Sequence, residues 1–123
     1  MMFRADGAAD GQVFNRELFL LRLDGAEDAM EDMLSLSVTS LLKHIAALDR
    51  AVQQENLVEI VFLSHTIGGV AATVGAERLS SLAARLELSA RKGDLSRGQD
   101  HLAGVAREFA AFRQYLDAQG SGA

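Results

Sequence analysis

Apolar side chains recur along this chain at intervals of three and four, in long blocks separated by short polar breaks. The longest block covers residues 26–54. There Met30, Leu34, Ser37, Leu41, Ile45, Leu48 and Val52 make one stripe about seven turns long. Glu27, Asp28 and Glu31 sit in its first turn, where the helix dipole favours negative charge. A second block, 56–73, places Ile60, Ser64, Ile67, Ala71 and Val74 on one face, with Gly75 as its stop. A third, 77–92, turns Leu79, Leu82, Leu86 and Ala90 inward. It carries Arg91 and Lys92 in its last turn before Gly93. The last helix starts at Asp94 or Ser96 and aligns Leu95, Gln99, Leu102, Val105, Phe109, Phe112 and Leu116.

Upstream, Asn15 caps a short helix whose buried side is Phe14, Leu18 and Leu21, and Asp24-Gly25 ends it. Four substantial amphipathic helices joined by connections of a few residues must turn back on their neighbours. The expectation is therefore an all-α, up-down-up-down antiparallel four-helix bundle over residues 13–118, with a short extra N-terminal helix. Residues 1–12 read as a flexible lead-in and 119–123 as a flexible tail. The boundary at Glu55-Asn56 is the weakest, since it holds neither Gly nor Pro.

Composition narrows the picture. At 123 residues the chain fits one domain. It contains no cysteine, so there is no disulfide frame, no thiol nucleophile and no Cys-based zinc site. It contains no proline either, which favours uninterrupted helices. A net charge of −5 without a basic stripe argues against a nucleic-acid partner. No run approaches the ~18 apolar residues of a membrane span, and residues 1–12 lack the apolar core of a secretory signal. A cytoplasmic protein, with no membrane partner, is expected.

The unusual stretch is Ser64-His65-Thr66-Ile67-Gly68-Gly69. Each glycine inside a helix costs about 1 kcal/mol relative to alanine, and here two stand directly after a histidine turn. Gly69, four residues on, lies on the same face as His65, with Gly68 alongside. That outward face reads Val58, Phe62, His65, Gly69 and Ala72, flanked by Val61, and carries no charge. Two readings stay open: a docking site around one imidazole, or a central helix buried on most sides. The histidine itself suits a core position, a metal ligand, a general base or a phosphoryl acceptor. His44 and His101 offer no i+3 or i+4 ligand pairing with it. Ser64 points about 100° away from it, so it is no nucleophile for a triad. Phosphoryl acceptance needs only an exposed ring nitrogen and space, and the glycine pair supplies the space.

Residues 65–75 resemble the motif of the histidine phosphotransfer (HPt) domains of bacterial phosphorelays, His-x-x-Lys-Gly with a second Gly six residues beyond. His65, Gly69 and Gly75 match it. The resemblance continues through Phe14-Asn15-Arg16-Glu17-Leu18, and through Leu82-Ala83-Ala84-Arg85-Leu86-Glu87 to Arg91-Lys92-Gly93-Asp94-Leu95. It implies a phosphocarrier and not a stand-alone enzyme. His65 would accept a phosphoryl group from a receiver-domain phosphoaspartate and pass it to another receiver. The resemblance further implies response-regulator receivers as partners, with a hybrid histidine kinase as a further candidate. Val58, Val61, Phe62 and Ala72 would form the docking face, and Mg²⁺ would sit on the receiver, with no cofactor on this chain. A monomer is expected, although the same apolar face could pair two copies.

The chain departs from the family where the usual lysine is replaced by Gly68. Losing that cation removes a charge-assisted contact to the phosphoryl group worth about 1.5–3 kcal/mol. Arg91 matches a place where some members carry a phosphate-side arginine. Glu87 matches a position that is often Gln, from which the imidazole can be held. The competing expectation is a degenerate binding module that docks or sequesters a receiver or kinase without efficient transfer. For Glu87 and Arg91 the plain alternative is a solvated charge on a helix end.

Overall fold

The computed structural model describes residues 10–120, and over them the chain forms five helices and no strand. They are α1 (Arg16–Arg22), α2 (Glu27–Gln53), α3 (Leu57–Thr73), α4 (Glu77–Arg91) and α5 (Gly98–Gly120). Helices α2 to α5 form a ring in which each packs on its sequence neighbours and α5 closes against α2. Cross-contacts fix the directions. His65 and Gly68 of α3 face Glu87 and Ala83 of α4, so these two helices run antiparallel. Arg78 and Leu82 of α4 meet Glu108 and Gly104 of α5 in the same sense. Gln53, closing α2, exchanges side-chain hydrogen bonds with Gln99 at the start of α5. The bundle expected from periodicity is the one that forms.

The stripes supply the core: Leu41 and Leu48 from α2, Ile60 and Ile67 from α3, Leu79 and Leu86 from α4, Val105 and Phe112 from α5 are fully buried. The ends follow from capping chemistry. Asn56 caps α3, its Oδ1 accepting from the Glu59 N–H at 3.2 Å. The turn before it has no glycine, so Glu55 takes the left-handed conformation itself at φ +53°, which costs about 1–2 kcal/mol. The Asn56 N–H donating to the Ala51 carbonyl helps to offset that cost.

Gly75 closes α3 at φ +82°, and it serves a second purpose. A Cβ there would lie 2.6 Å from the Asn15 carbonyl oxygen, while the Asn15 N–H donates to the Gly75 carbonyl at 2.7 Å. Helix α4 has Ala76 as its N-cap, which provides no side-chain cap. Its cap comes from the N-terminal segment instead. The Arg78 N–H donates to the Gln12 carbonyl, and Glu77 accepts from the Gln12 N–H and the Asn15 side-chain amide, both at 2.9 Å. Ser81 Oγ donates to the Asp10 carbonyl. Residues 10–12 are thus tied to α4, and the rest of the expected lead-in lies outside the described residues. At the other end α5 runs to Gly120, through the first part of the expected tail; 121–123 lie outside the described residues.

Three expectations need correction. The buried side of α1 is Phe19, with Phe14 buried just ahead of it and half-buried Leu20 packed against the core, while Leu21 is exposed. A seven-residue helix has too few turns for periodicity to select a face, and Leu21 lies about 200° from Phe19. Helix α5 starts at Gly98, because Asp94 Oδ1 accepts from both the N–H and the hydroxyl of Ser96 and holds residues 94–96 as a turn. Gln99 is exposed, whereas Glu108 on the same helix is buried at 2% exposure, its Oε2 held by Arg78 Nη2 at 2.9 Å.

Candidate functional site

The inward positions of α3 fill the core, which leaves Val58, Phe62, His65, Gly69 and Ala72 facing out. No helix among the described residues covers them. Val58 is 79% and Phe62 60% exposed, and the His65 side chain is 73% exposed. The reading of α3 as buried on most sides is thereby excluded. Val61 is half-buried and packs against the core edge. Ser64 is fully buried, its hydroxyl donating to the Ile60 carbonyl, so it stands away from the imidazole.

The two glycines differ in role. A Cβ on Gly69 would meet nothing within 4 Å, so this is the bare stretch of backbone beside the ring. Gly68 faces α4, where a Cβ would lie 3.6 Å from the Ala83 Cβ and 3.9 Å from the Ser80 carbonyl. Its own carbonyl accepts from Ser80 Oγ at 3.1 Å. A shallow depression of about 450 Å³ opens beside the ring, lined by Ser37 of α2 and by His65, Thr66, Gly69, Val70 and Thr73 of α3. The hydroxyls of Thr66 and Thr73 donate to the Phe62 and Gly69 carbonyls one turn back, so they are spent on their own helix. Sequence reasoning assigned Ser37 to the core stripe and gave no role to these threonines. Their arrangement depends on how α2 lies against α3, which periodicity does not specify.

Helix α4 supplies the charged partners. Both carboxylate oxygens of Glu87 lie 3.2 Å from His65 Nδ1, and Glu87 is only 18% exposed. A carboxylate accepts and cannot donate, so Nδ1 carries the proton and the Nε2 lone pair points away toward the open face. Arg91, one turn further along α4, directs both Nε (2.9 Å) and Nη2 (2.8 Å) onto Glu87 Oε2. The histidine, the carboxylate and the guanidinium form a chain of three. Arg91 is committed to Glu87, and neither charge is merely solvated at a helix end.

The lower end of the face is fixed by α1. Arg22 Nη1 donates to the Ala72 and Thr73 carbonyls at 2.6 and 3.0 Å, satisfying acceptors left over at the end of α3. Among the described residues, no group of three His, Asp or Glu side chains converges as a metal site would require. No helix among them is long and apolar enough to cross a membrane. Chemically the arrangement offers one exposed nucleophilic nitrogen of fixed tautomer, on a flat apolar face with room beside it.

Comparison with known proteins bears on the fold and the family. The crystal structure of histidine-containing phosphotransfer protein B (HptB) from Pseudomonas aeruginosa PAO1 superposes with a TM-score of 0.82. The match covers 89% of this chain and 96% of that one at 23% identity, a likeness of fold. No curated protein matches the chain in sequence. Residues 32–119, however, match the Hpt domain family, a span that takes in nearly all of α2, the whole of α3 and α4, and α5 up to its last residue. With His65, Glu87 and Arg91 all inside that span, the chain belongs to the Hpt domain family.

Proposed function

We propose that this protein is a phosphocarrier of a two-component phosphorelay, taking a phosphoryl group on Nε2 of His65 and handing it on. The observation that carries the reading is the orientation of the imidazole. Nδ1 is held by Glu87 while the ring is 73% exposed on an uncharged face. The donor is the phosphoaspartate of a receiver domain. As Nε2 attacks phosphorus, the P–O bond to the aspartate breaks and its electron pair returns to the carboxylate. A second receiver reverses the sequence onto its own aspartate. Val58 and Phe62 provide the apolar contact for the docked receiver, and Gly69 lets it approach the α3 backbone closely. The receiver supplies Mg²⁺ and with it charge stabilisation; this chain supplies position and nucleophile.

The test is transfer from a labelled, phosphorylated receiver to this protein and to its His65→Gln variant. An acid-labile, alkali-stable label that vanishes in the variant is the expected result. One observation favours a second reading, in which the chain docks receivers or a kinase without efficient transfer. Gly68 brings no cation, and the guanidinium of Arg91 is engaged by Glu87. Measurable receiver binding without any label across several receivers would select that reading.

A further inference from the structure

The chain from His65 through Glu87 to Arg91 does more than orient a ring. We infer that Arg91 is a positioning residue that acts on His65 through Glu87, setting how strongly Nδ1 keeps its proton, rather than acting as a ligand of the phosphoryl group. The inference deepens the phosphocarrier reading and rests on His65 carrying phosphate.

Three observations carry it. Arg91 places two nitrogens on a single oxygen of Glu87, at 2.9 and 2.8 Å, and the two residues lie i, i+4 on one helix, where such pairs are preorganised. Glu87 is mostly buried, so its charge is felt by its two partners more than by water. The depression beside the ring is lined by uncharged residues, Ser37 from α2 with Thr66, Gly69, Val70 and Thr73 from α3 itself. His44 on α2 is bonded to its own helix, at the Ser40 carbonyl. Glu87 is thus the charged group that touches Nδ1, and Arg91 is the cation that touches Glu87 from the same helix.

The consequence lies in the N–P bond. When Nε2 takes the phosphoryl group and Nδ1 keeps its proton, the ring becomes a phosphoimidazolium. In the onward step the N–P bond breaks and its electron pair returns to Nε2, so the leaving group is neutral imidazole with Nδ1–H intact. Were Nδ1 deprotonated first, the leaving group would be imidazolate, a far poorer one. A carboxylate at Nδ1 holds that proton in place and keeps the phosphohistidine a ready donor. Arg91 draws charge out of Glu87 and moderates the effect. The two residues thus work in opposite directions on the same bond, which a pair of phosphate ligands would not do.

The test uses the full chain and potassium phosphoramidate, a small donor that needs no receiver. Formation and loss of the His65 phosphohistidine are followed by ³¹P NMR across a pH series, with His65→Gln defining the background from His44 and His101. Glu87→Gln keeps an acceptor and removes the charge. It is expected to lower the pH above which the phosphohistidine becomes long-lived. Arg91→Gln is expected to move it upward, with the yield of phosphohistidine maintained. A downward shift in both variants would overturn the inference. So would an Arg91→Gln variant that forms little phosphohistidine and shows a displaced ³¹P resonance, the signature of a lost phosphate ligand. Because no receiver is involved, failure of receiver transfer overturns the relay reading alone and leaves this result standing.

Discussion

Replacing Gly68 by lysine restores the cation that this chain lacks, and the structure allows its two effects to be worked out separately. A Cβ at position 68 meets Ala83 at 3.6 Å and the Ser80 carbonyl at 3.9 Å, ordinary contacts that require no movement. The Ser80 hydroxyl bonds the carbonyl of residue 68, which the substitution leaves intact. Position 68 lies inside α3, so lysine gains about 0.7 kcal/mol of helix propensity over glycine. For a domain of this size that raises Tm by about 2–5 °C. The second effect is on transfer. Arg91 is held by Glu87, so the lysine would bring a further cation beside the phosphoryl group. A charge-assisted hydrogen bond of about 1.5–3 kcal/mol corresponds to a tenfold to hundredfold faster transfer. Thermal unfolding measures the first effect, and single-turnover transfer from a labelled receiver measures the second. A more stable protein with an unchanged transfer rate would refute the argument that the missing lysine limits the chemistry. Loss of stability would refute the steric argument for position 68.

Three further outcomes are expected. Gly69→Ala, where an added Cβ meets nothing in the free protein, should stabilise the fold by about 1 kcal/mol yet weaken receiver binding; titration calorimetry with a receiver would show unchanged affinity if this backbone is not approached. Glu77→Ala removes two charged-acceptor bonds to Gln12 and Asn15 and should cost about 1–2 kcal/mol in urea unfolding. It should also speed exchange of the Gln12 amide, and an amide as protected as in the parent would contradict the capping role. His101 is held below its usual 6.5, chiefly by burial and then by the positive charges of Arg97 and Arg85. The native ring stays neutral while the unfolded chain takes up the proton first, so stability declines as pH falls from about 6.5 toward the folded value. His101→Gln should flatten that part of the pH–stability curve, and an identical curve would show that other groups cause the decline.

Much of the architecture could be read from the chain because long amphipathic helices repeat their signal over many turns. The stripe from Met30 to Val52 needs no tertiary knowledge to be assigned to one face, and Gly75 and Gly93 mark helix ends by their own local chemistry. The signal failed where it was short or where its cause lay elsewhere in the chain. Helix α1 is too brief for a face to be chosen, so Leu21 was misplaced and Phe19 overlooked. On α5, Gln99 was placed on the inward stripe but is exposed and bonded to Gln53, and Glu108, which the stripe leaves out, is buried against Arg78 of another helix. A buried carboxylate is tolerable only beside its cations, and the closer of the two, Arg78 at 2.9 Å against 3.7 Å for neighbouring Arg107, lies on α4.

The same division runs through the site. The glycine pair after a histidine turn, on a stripe without charge, is a local property, and it was enough to single out His65 and the face around it. The sequence by itself thus determined the helices, their short reversing connections and the residue that stands on the open face, since each depends on neighbours within about four positions. Only the tertiary structure decided that this face is left uncovered, that Glu87 reaches Nδ1 across the α3–α4 seam, and that Arg91 is bound to Glu87 rather than free beside the ring. Those outcomes depend on the rotation and register of one helix against another. They are set by how the side chains of two surfaces interlock, which no stretch of either helix encodes alone.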